Sequence, residues 1–209
     1  MRERGEIKIP AFTAYPIMLV DTHALTPALG YVFNSTWLDP QESIVSMLWK
    51  FARMNLIAGH LIAGQISRTV VDPYEGINPS SSEVDIRRVH QMLCLPSKLI
   101  RNALLPDGLG CPDFRYCPRC MRRGYHSVVP QIALVTHCPI HGNALQNACV
   151  RCDSKTLYRL NVILLDAPFR CGYCRSYYGT CHPRFLERTP LNLKARVAIT
   201  RMRLHYFAH

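Results

Sequence analysis

The chain has 209 residues, 48% of them hydrophobic, which is enough for one or two domains with a buried core. We expect no secretory leader, since the apolar run Ile17–Val20 is too short for the hydrophobic region of one. No stretch approaches the about 18 uninterrupted apolar residues of a membrane span. We therefore expect a cytoplasmic protein without a membrane partner, in a reducing compartment where thiols serve metal binding or catalysis.

Charge is distributed unevenly along the chain. Residues 1–110 carry ten basic and ten acidic side chains, whereas residues 111–209 carry fifteen basic and four acidic ones. A basic rear half favours a phosphate-rich partner, because neutralising phosphates releases counterions. A merely soluble basic surface would explain the same excess equally well.

The front half predicts an arm followed by short helices. Residues 1–36 are interrupted by prolines and predict an arm or a short hairpin. Asp39 and Pro40 are typical of a helix start, with Glu42 able to reach back to Asp39, and this first helix is predicted to end at Asn55. Residues 73–82 are rich in Pro, Gly and Ser and predict a loop. The predicted helices cover residues 39–55, 56–66, 82–95 and 98–105.

Short helices joined by tight turns are typical of a helix-turn-helix, which places one helix in the major groove of DNA. An ordinary small helical bundle used for protein contact fits the same pattern. The third helix carries Arg87 and Arg88 but also Glu83 and Asp85, so its outer face is not clearly basic.

Four pairs of candidate metal ligands, each separated by two residues, follow in the rear half. A two-residue gap lets one turn direct both side chains at a single ion, and two pairs complete a tetrahedron. The gaps of 17 residues after Cys120 and 18 residues after Cys152 fall within the range of about 15–20 expected for paired sites. The pairs are Cys117/Cys120, Cys138/His141, Cys149/Cys152 and Cys171/Cys174.

Seven thiolates and one imidazole favour two structural zinc ions over harder cations. The similar lengths of the two halves favour sequential pairing, in which the first two pairs share one ion and the last two share the other. A cross-brace and a set of disulfides are the alternatives. Other nearby candidates could replace one of these ligands, and Cys94 is expected to pack on the buried side of a helix. The replacement candidates are Cys111, Cys181, His126, His137 and His182.

Basic residues around the first pair and in the C-terminal tail are candidates for nucleic-acid contact. The tail alternates basic with apolar residues, which predicts a basic amphipathic segment, or equally a helix that packs on the zinc domain. The candidates are Arg119, Arg122, Arg123, Arg184, Arg188, Lys194, Arg196, Arg201 and Arg203.

The sequence thus predicts a mainly α fold with small zinc-stabilised modules. An N-terminal arm (1–36) precedes a helical, helix-turn-helix-like domain (37–110), a double zinc-binding domain (111–182) and a basic tail (183–209). No H-x-E deaminase pattern and no phosphate-cradling G-x-x-x-x-G-K-[ST] loop occurs, so an enzyme is not expected.

Several motifs resemble the TniQ family. Residues 114–120 (FRYCPRC), 124–126 (GYH) and 135–145 (VTHCPIHGNAL) resemble the family's zinc region, and residues 42–55 resemble its opening E-S-L-x-S-x-L helix and closing Asn. The match covers roughly residues 41–175. The chain departs from the family pattern at Pro130, where a Trp is common, and at Cys149–Asp153, which lacks the usual Pro and following Gly.

This resemblance implies a non-enzymatic target-selection adaptor of a bacterial transposition system. Such an adaptor would link target DNA, or a guide-RNA CRISPR effector complex, to a TnsC/TniB-type AAA+ ATPase, and would use two zinc modules and a helix-turn-helix. The sequence leaves the oligomeric state undecided between a monomer and a homodimer. A free-standing DNA-binding regulator is the second hypothesis, and a cross-brace zinc interaction module is the third.

Overall fold

Helix α1 (Ile44–Asn55) is the central element of the computed structural model, which describes residues 24–183 and 189–207. Nine consecutive residues, from Ile44 to Ala52, are buried. A helix that is covered on every side has to be surrounded by the rest of the fold. Here the helix at Gly59–Ile66 and parts of the rear half, including the helix at Val162–Leu165, both pack against it, so α1 is the central scaffold of the fold.

The first helix begins later than Asp39, so that prediction was wrong. Gln41 has a left-handed backbone (φ 59°), which interrupts the helical path, and Ser43 is the true cap because its hydroxyl accepts the Ser46 N–H at 3.2 Å. The Asp39 carboxylate instead accepts the backbone N–H of Leu191 at 3.0 Å. The expected reach of Glu42 is confirmed, since its carboxylate accepts the Asp39 N–H at 3.0 Å.

The remaining front helices are shorter than predicted. The second starts three residues late because Leu56 takes a left-handed conformation that ends α1. The third starts after Asp85, whose carboxylate accepts the N–H groups of Arg87 and Arg88. The loop predicted over 73–82 is confirmed, because residues 67–85 contain no helix. These helices are α2 (Gly59–Ile66), α3 (Ile86–Leu93) and α4 (Ser97–Asn102).

Three-residue segments join α1 to α2 and α3 to α4, and α3 packs on both α2 and α4. The helical character of the front half is therefore confirmed. Its use as a DNA-reading helix-turn-helix stays a prediction, and Arg88 is engaged locally because its guanidinium lies 3.4 Å from the Asp85 carboxylate.

The rear half is built from turns, isolated backbone bridges and three helices. They are α5 (Pro118–Arg122), α6 (Val162–Leu165) and α7 (Leu193–Phe207). Within residues 24–183 and 189–207 the backbone forms single β-bridges but no extended strand. The mainly helical fold class is confirmed.

An aromatic cluster joins the two halves around Trp49 of α1. The Trp49 ring lies 4.9 Å from Phe169 and 5.6 Å from Phe114, measured between ring centroids, and its indole N–H donates to the Leu164 carbonyl at 2.7 Å. Phe114 in turn lies 5.4 Å from Tyr178. Because one core is shared, folding of the front helices and of the rear half is expected to be coupled; the predicted domain limits stay a prediction.

Residues 24–36 of the predicted arm lie over the end of α1. They contain two short 3-10 turns, Pro27–Leu29 and Ser35–Trp37. The Asn55 amide pairs with both backbone groups of Val32 at 2.8 Å, which fastens this segment to the helix. The predicted hairpin is absent from residues 24–36, and residues 1–23 lie outside the described part of the chain. Among the helices described, none has the length and apolar character needed to cross a membrane.

Candidate metal centres

The structure gathers the eight predicted ligands into two groups of four, in the sequential arrangement. Within each group the ligand atoms all lie within 4.8 Å of one another. The cross-brace is thereby excluded as the arrangement of these side chains. The first cluster is Cys117, Cys120, Cys138 and His141, and the second cluster is Cys149, Cys152, Cys171 and Cys174.

Distances within the first cluster fit a tetrahedral ion. At a zinc–sulfur bond of about 2.3 Å and a zinc–nitrogen bond of about 2.0–2.1 Å, tetrahedral edges are about 3.8 Å between sulfurs and about 3.6 Å between sulfur and nitrogen. The Cys120 and Cys138 sulfurs are 3.7 Å apart. His141 Nδ1 lies 3.3–3.6 Å from the sulfurs of Cys117, Cys120 and Cys138.

The second cluster has the same dimensions with four sulfurs. Cys149 and Cys174 are 3.7 Å apart, as are Cys152 and Cys171. Disulfide sulfurs would be about 2.05 Å apart, so these spacings exclude S–S bonds within the clusters, and all of these cysteines are free thiols. Both clusters therefore have the donors and the separations to hold a divalent metal ion.

Three of the four ligand pairs use one backbone turn. In each, the first ligand's carbonyl accepts the N–H four residues later, and its own N–H donates to the carbonyl five residues later. The residue four positions after the first ligand has a left-handed backbone each time, and these residues are Gly142, Asp153 and Arg175. Asp153 thus takes the same backbone conformation as Gly142, and the two ligand turns have the same hydrogen bonds.

The first pair is organised differently, by a helix. Cys117 is the N-cap of α5 and Pro118 occupies its first position, where a missing N–H costs nothing. Gly179 packs directly on this helix, since a Cβ there would lie 2.3 Å from the Arg122 nitrogen. This contact links α5 to the chain that follows the second cluster.

Within each cluster the pKa values of the thiols are shifted in opposite directions. Hydrogen bonding from Cys120 and Cys138 lowers the pKa of Cys117 to about 2, while the same bonds raise the pKa of Cys120 and Cys138. In the second cluster the Ser176 hydroxyl lowers the pKa of Cys174 to about 6. A bound cation would allow every thiol to ionise, because its positive charge offsets their mutual repulsion.

Helix α7 covers the first cluster. Leu191 and Ala195 pack with the sulfur ligands there, and Asn192 caps the helix by accepting the Ala195 N–H at 2.9 Å. Arg123 donates to the Thr189 carbonyl at 2.7 Å, which fixes the approach to the helix. The predicted tail therefore packs on the metal-binding region, the alternative that the sequence had left open.

The tail is not amphipathic in the expected way, and that prediction was wrong. Ala195 and Ile199 are buried, yet Leu193, Val197 and Leu204 are exposed on the opposite side of α7. The spacing of four and seven residues puts the exposed three on one face. The helix therefore has two apolar faces with basic residues between them, because one apolar face is already used for packing.

We expect the second cluster to lose its metal first. Cys152 and Cys174 are exposed, whereas Cys117, Cys120 and Cys138 are buried beneath α7. Mixing the protein with excess chelator and a coloured metal indicator should release metal in two phases of equal amplitude. Cys174→Ser should abolish the fast phase and Cys138→Ser the slow one; a single phase in the unaltered protein would contradict this order.

Introducing a charge beneath α7 should uncover the first cluster. Ala195→Asp places a carboxylate among the buried thiol ligands, with an expected cost of about 3–5 kcal/mol in the free energy of unfolding. The slow phase of metal release should then merge with the fast one. Val197→Asp, on the exposed face of the same helix, is the matched control and should leave both phases in place.

The replacement candidates for metal ligation lie outside both clusters, and His126 has a structural role. Its Nε2–H donates to the Arg115 carbonyl at 2.9 Å, so Nδ1 accepts the Ser43 hydroxyl proton at 2.7 Å. Burial lowers its pKa to about 4, which keeps the ring neutral. Cys94 is exposed at the left-handed end of α3, so its expected burial was wrong. Neither metal cluster includes Cys111, Cys181, His137 or His182.

A buried ion pair at the start of α1 was missed from the sequence. Glu42 and Lys50 have fully buried side chains and are in direct contact. Glu42 also accepts the Ser46 hydroxyl at 2.5 Å, and the Lys50 ammonium donates to the Trp37 carbonyl at 2.7 Å. The E-S-x-x-S motif therefore has a structural role here: Ser43 caps the helix and the Ser46 hydroxyl binds Glu42. The sequence signal for the ion pair was the spacing of eight residues between Glu42 and Lys50.

The predicted nucleic-acid residues divide into structural and exposed groups. Arg123 holds the start of the tail, and Arg203 donates to the Asn102 side chain and stacks on Phe207, with burial lowering its pKa. Arg184 and Arg188 lie outside the described residues. The side chains that remain exposed are Arg119, Arg122, Lys194, Arg196 and Arg201.

Comparison with family models and with curated proteins found no match for this chain.

Proposed function

We propose that the protein is a non-enzymatic adaptor of a transposition system, in which two zinc ions make the rear half a rigid block that docks on nucleic acid and on an AAA+ ATPase. The observation that carries this proposal is the pair of complete four-ligand clusters. A tetrahedral ion with four protein ligands has no open position for a substrate or a water, so it stabilises a fold and does not catalyse.

The surface charge supports a nucleic-acid contact. Lys194 and Arg201 are exposed and seven residues apart, so they share one face of α7. The helix lies against the first cluster, which would hold these charges in place. Positive charges on a rigid support bind phosphates with less loss of side-chain and backbone freedom than charges on a loose tail.

The TniQ-like segments support the choice of an adaptor over other zinc proteins. Residues 114–120 and 135–145 supply all four ligands of the first cluster. Residues 42–55 include α1, which contacts the rear half through the hydrogen bond between Ser43 and His126. A cross-brace interaction module would need the other pairing. The two kinds of partner, an AAA+ ATPase and either target DNA or a guide-RNA complex, are proposed on the basis of the family resemblance.

Binding to DNA can be tested with two matched double variants. Lys194→Gln with Arg201→Gln removes two charges from α7, and Arg87→Gln with Lys98→Gln removes two exposed charges from the front helices. For the adaptor we expect the first pair to weaken binding and to lower the slope of log affinity against log salt by about 2, with little effect of the second pair. Fluorescence anisotropy over a salt series measures both quantities.

The opposite outcome would favour the free-standing regulator. That hypothesis requires the front helices to read DNA, so the Arg87/Lys98 variant should then lose sequence-selective binding while the α7 variant retains it. The adaptor itself is tested by ATP-dependent co-sedimentation with the AAA+ ATPase of the same transposon on DNA. Absence of any ATP-dependent association would overturn the adaptor.

A further inference from the structure

A cavity of about 420 Å³ lies between the end of α1 and the chain around the second cluster, and no residue of α7 lines it. Three arginines line it: Arg53, Arg170 and Arg175. We call this cavity the arginine pocket. Such a volume is in the range of small-molecule sites, which are usually apolar with a few polar groups that orient the ligand.

Two of these guanidinium groups have no acidic partner in the part of the chain that is described. Arg175 donates to the backbone carbonyl of Asp166, and Arg170 lies over the Tyr177 ring and donates to its hydroxyl. The Arg170 Nε–H is buried and has no hydrogen-bond partner among the described residues. A buried donor without a partner is costly, so the Arg170 guanidinium is not fully satisfied by the protein itself.

The acid that lines the pocket is engaged elsewhere. The Asp166 carboxylate accepts the backbone N–H of Gly59 at the first turn of α2. The positive dipole end of that helix stabilises the carboxylate. Arg53, which also lines the pocket, hydrogen-bonds His182 at 2.8 Å. The three arginines therefore give the pocket a net positive charge, while the Asp166 carboxylate is occupied by the Gly59 N–H.

One wall of the pocket is apolar, and Leu56 at its mouth is unusual. Its side chain is 94% exposed, and its backbone is left-handed (φ 53°), a conformation that is unfavourable for a side chain of this size. Gly or Asn would end α1 at that position at less cost. Strained residues cluster at binding sites, where the strained geometry serves the ligand.

We propose that the arginine pocket binds a nucleoside phosphate, with the phosphate on the guanidinium groups and the base against the apolar wall at Leu56. Planar guanidinium groups pair with phosphate oxygens through two parallel N–H donors. The ligand is either a free nucleotide or one nucleotide unit of a nucleic-acid strand, since both carry this chemistry. The pocket does not depend on the adaptor proposal, because it uses residues distinct from the exposed basic residues of α7.

Isothermal titration of the metal-loaded protein with three probes tests this proposal. The probes are dAMP, inorganic pyrophosphate and a six-residue oligodeoxyadenylate. Arg175→Gln keeps a side chain of similar length and should weaken dAMP binding about tenfold or more, since it removes a charge-assisted hydrogen bond. Arg87→Gln on α3 removes an equal charge at a distant exposed position and should change binding less than about twofold.

Leu56→Asn distinguishes the contribution of the base to binding from that of the phosphate. It should weaken dAMP and leave pyrophosphate binding unchanged, because only the apolar contact is lost. Tighter binding of the oligonucleotide than of dAMP identifies a strand as the ligand, and the reverse identifies a free nucleotide; both results support the pocket.

Equal effects of Arg175→Gln and Arg87→Gln, or no saturable dAMP binding by the unaltered protein, would overturn the proposal. A variant that misfolds would lose binding for an unrelated reason, so a second measurement uses the unaltered protein. The Nε–H resonance of Arg170 in the unaltered protein should shift in saturable fashion on adding dAMP. An unchanged resonance at saturation would count against the pocket.

Discussion

Cys120→Ser is expected to leave the protein with one tightly bound metal ion in place of two and with most of its folding stability lost. Cys120 is buried and contributes one sulfur of the first cluster. Structural zinc sites contribute on the order of 10 kcal/mol to folding, and an oxygen ligand in place of a thiolate forfeits much of that. Because Trp49 ties the core to both halves, the loss should spread beyond residues 111–182.

Metal content by elemental mass spectrometry and unfolding by circular dichroism measure the two consequences. Cys94→Ser is the matched control, since Cys94 is an exposed thiol outside both clusters. It should retain two ions per chain and the stability of the unaltered protein. Two ions bound by the Cys120→Ser protein, or none bound by the unaltered protein, would refute the assignment of the clusters as metal centres.

Lys50→Met is expected to destabilise the fold by about 3–5 kcal/mol, because it leaves the buried Glu42 carboxylate without its cation. The carboxylate still accepts the Asp39 N–H and the Ser46 hydroxyl, but neither supplies a positive charge. Glu42→Gln combined with Lys50→Met should recover at least half of the loss, since the neutral amide oxygen can accept the Asp39 N–H while the amide NH2 donates to the Ser46 hydroxyl oxygen. Denaturant unfolding of the single and double variants measures the coupling.

A surface pair provides the comparison. Arg88→Met removes the partner of Asp85, whose side chain is partly exposed, and should cost less than about 1 kcal/mol. If Lys50→Met cost no more than Arg88→Met, the pair of Glu42 and Lys50 would not act as a buried ion pair in solution.

The metal ligands were predictable because their chemistry is local. Two residues between ligands suffice for one turn, and repetition of nearly the same gap pointed to sequential pairing before any fold was known. Helix limits were less predictable. Asp39 has the side chain of a helix cap, yet its carboxylate is taken by Leu191, 152 residues away along the chain. A cap residue identified by type alone cannot reveal such a competitor.

The burial of particular polar side chains could not be predicted from the sequence either. Glu42 was predicted only as part of the helix start, Lys50 drew no prediction, and His126 was a candidate replacement ligand for the zinc pairs. Each is buried because the rear half folds over α1, a contact between segments far apart in sequence. The arginine pocket is of the same kind, since Arg53 lies more than 100 residues before Arg170 and Arg175.

The sequence by itself determined the two sets of metal ligands, the helical front and the basic rear, since each of these depends on residue type and short spacing. Only the tertiary structure decided which charged side chains are buried, which residues cover the first cluster and which arginines line a cavity. The physical reason is that ligand turns are set by neighbours a few residues away, whereas burial is set by what packs on top, and here both halves of the chain pack on a single helix.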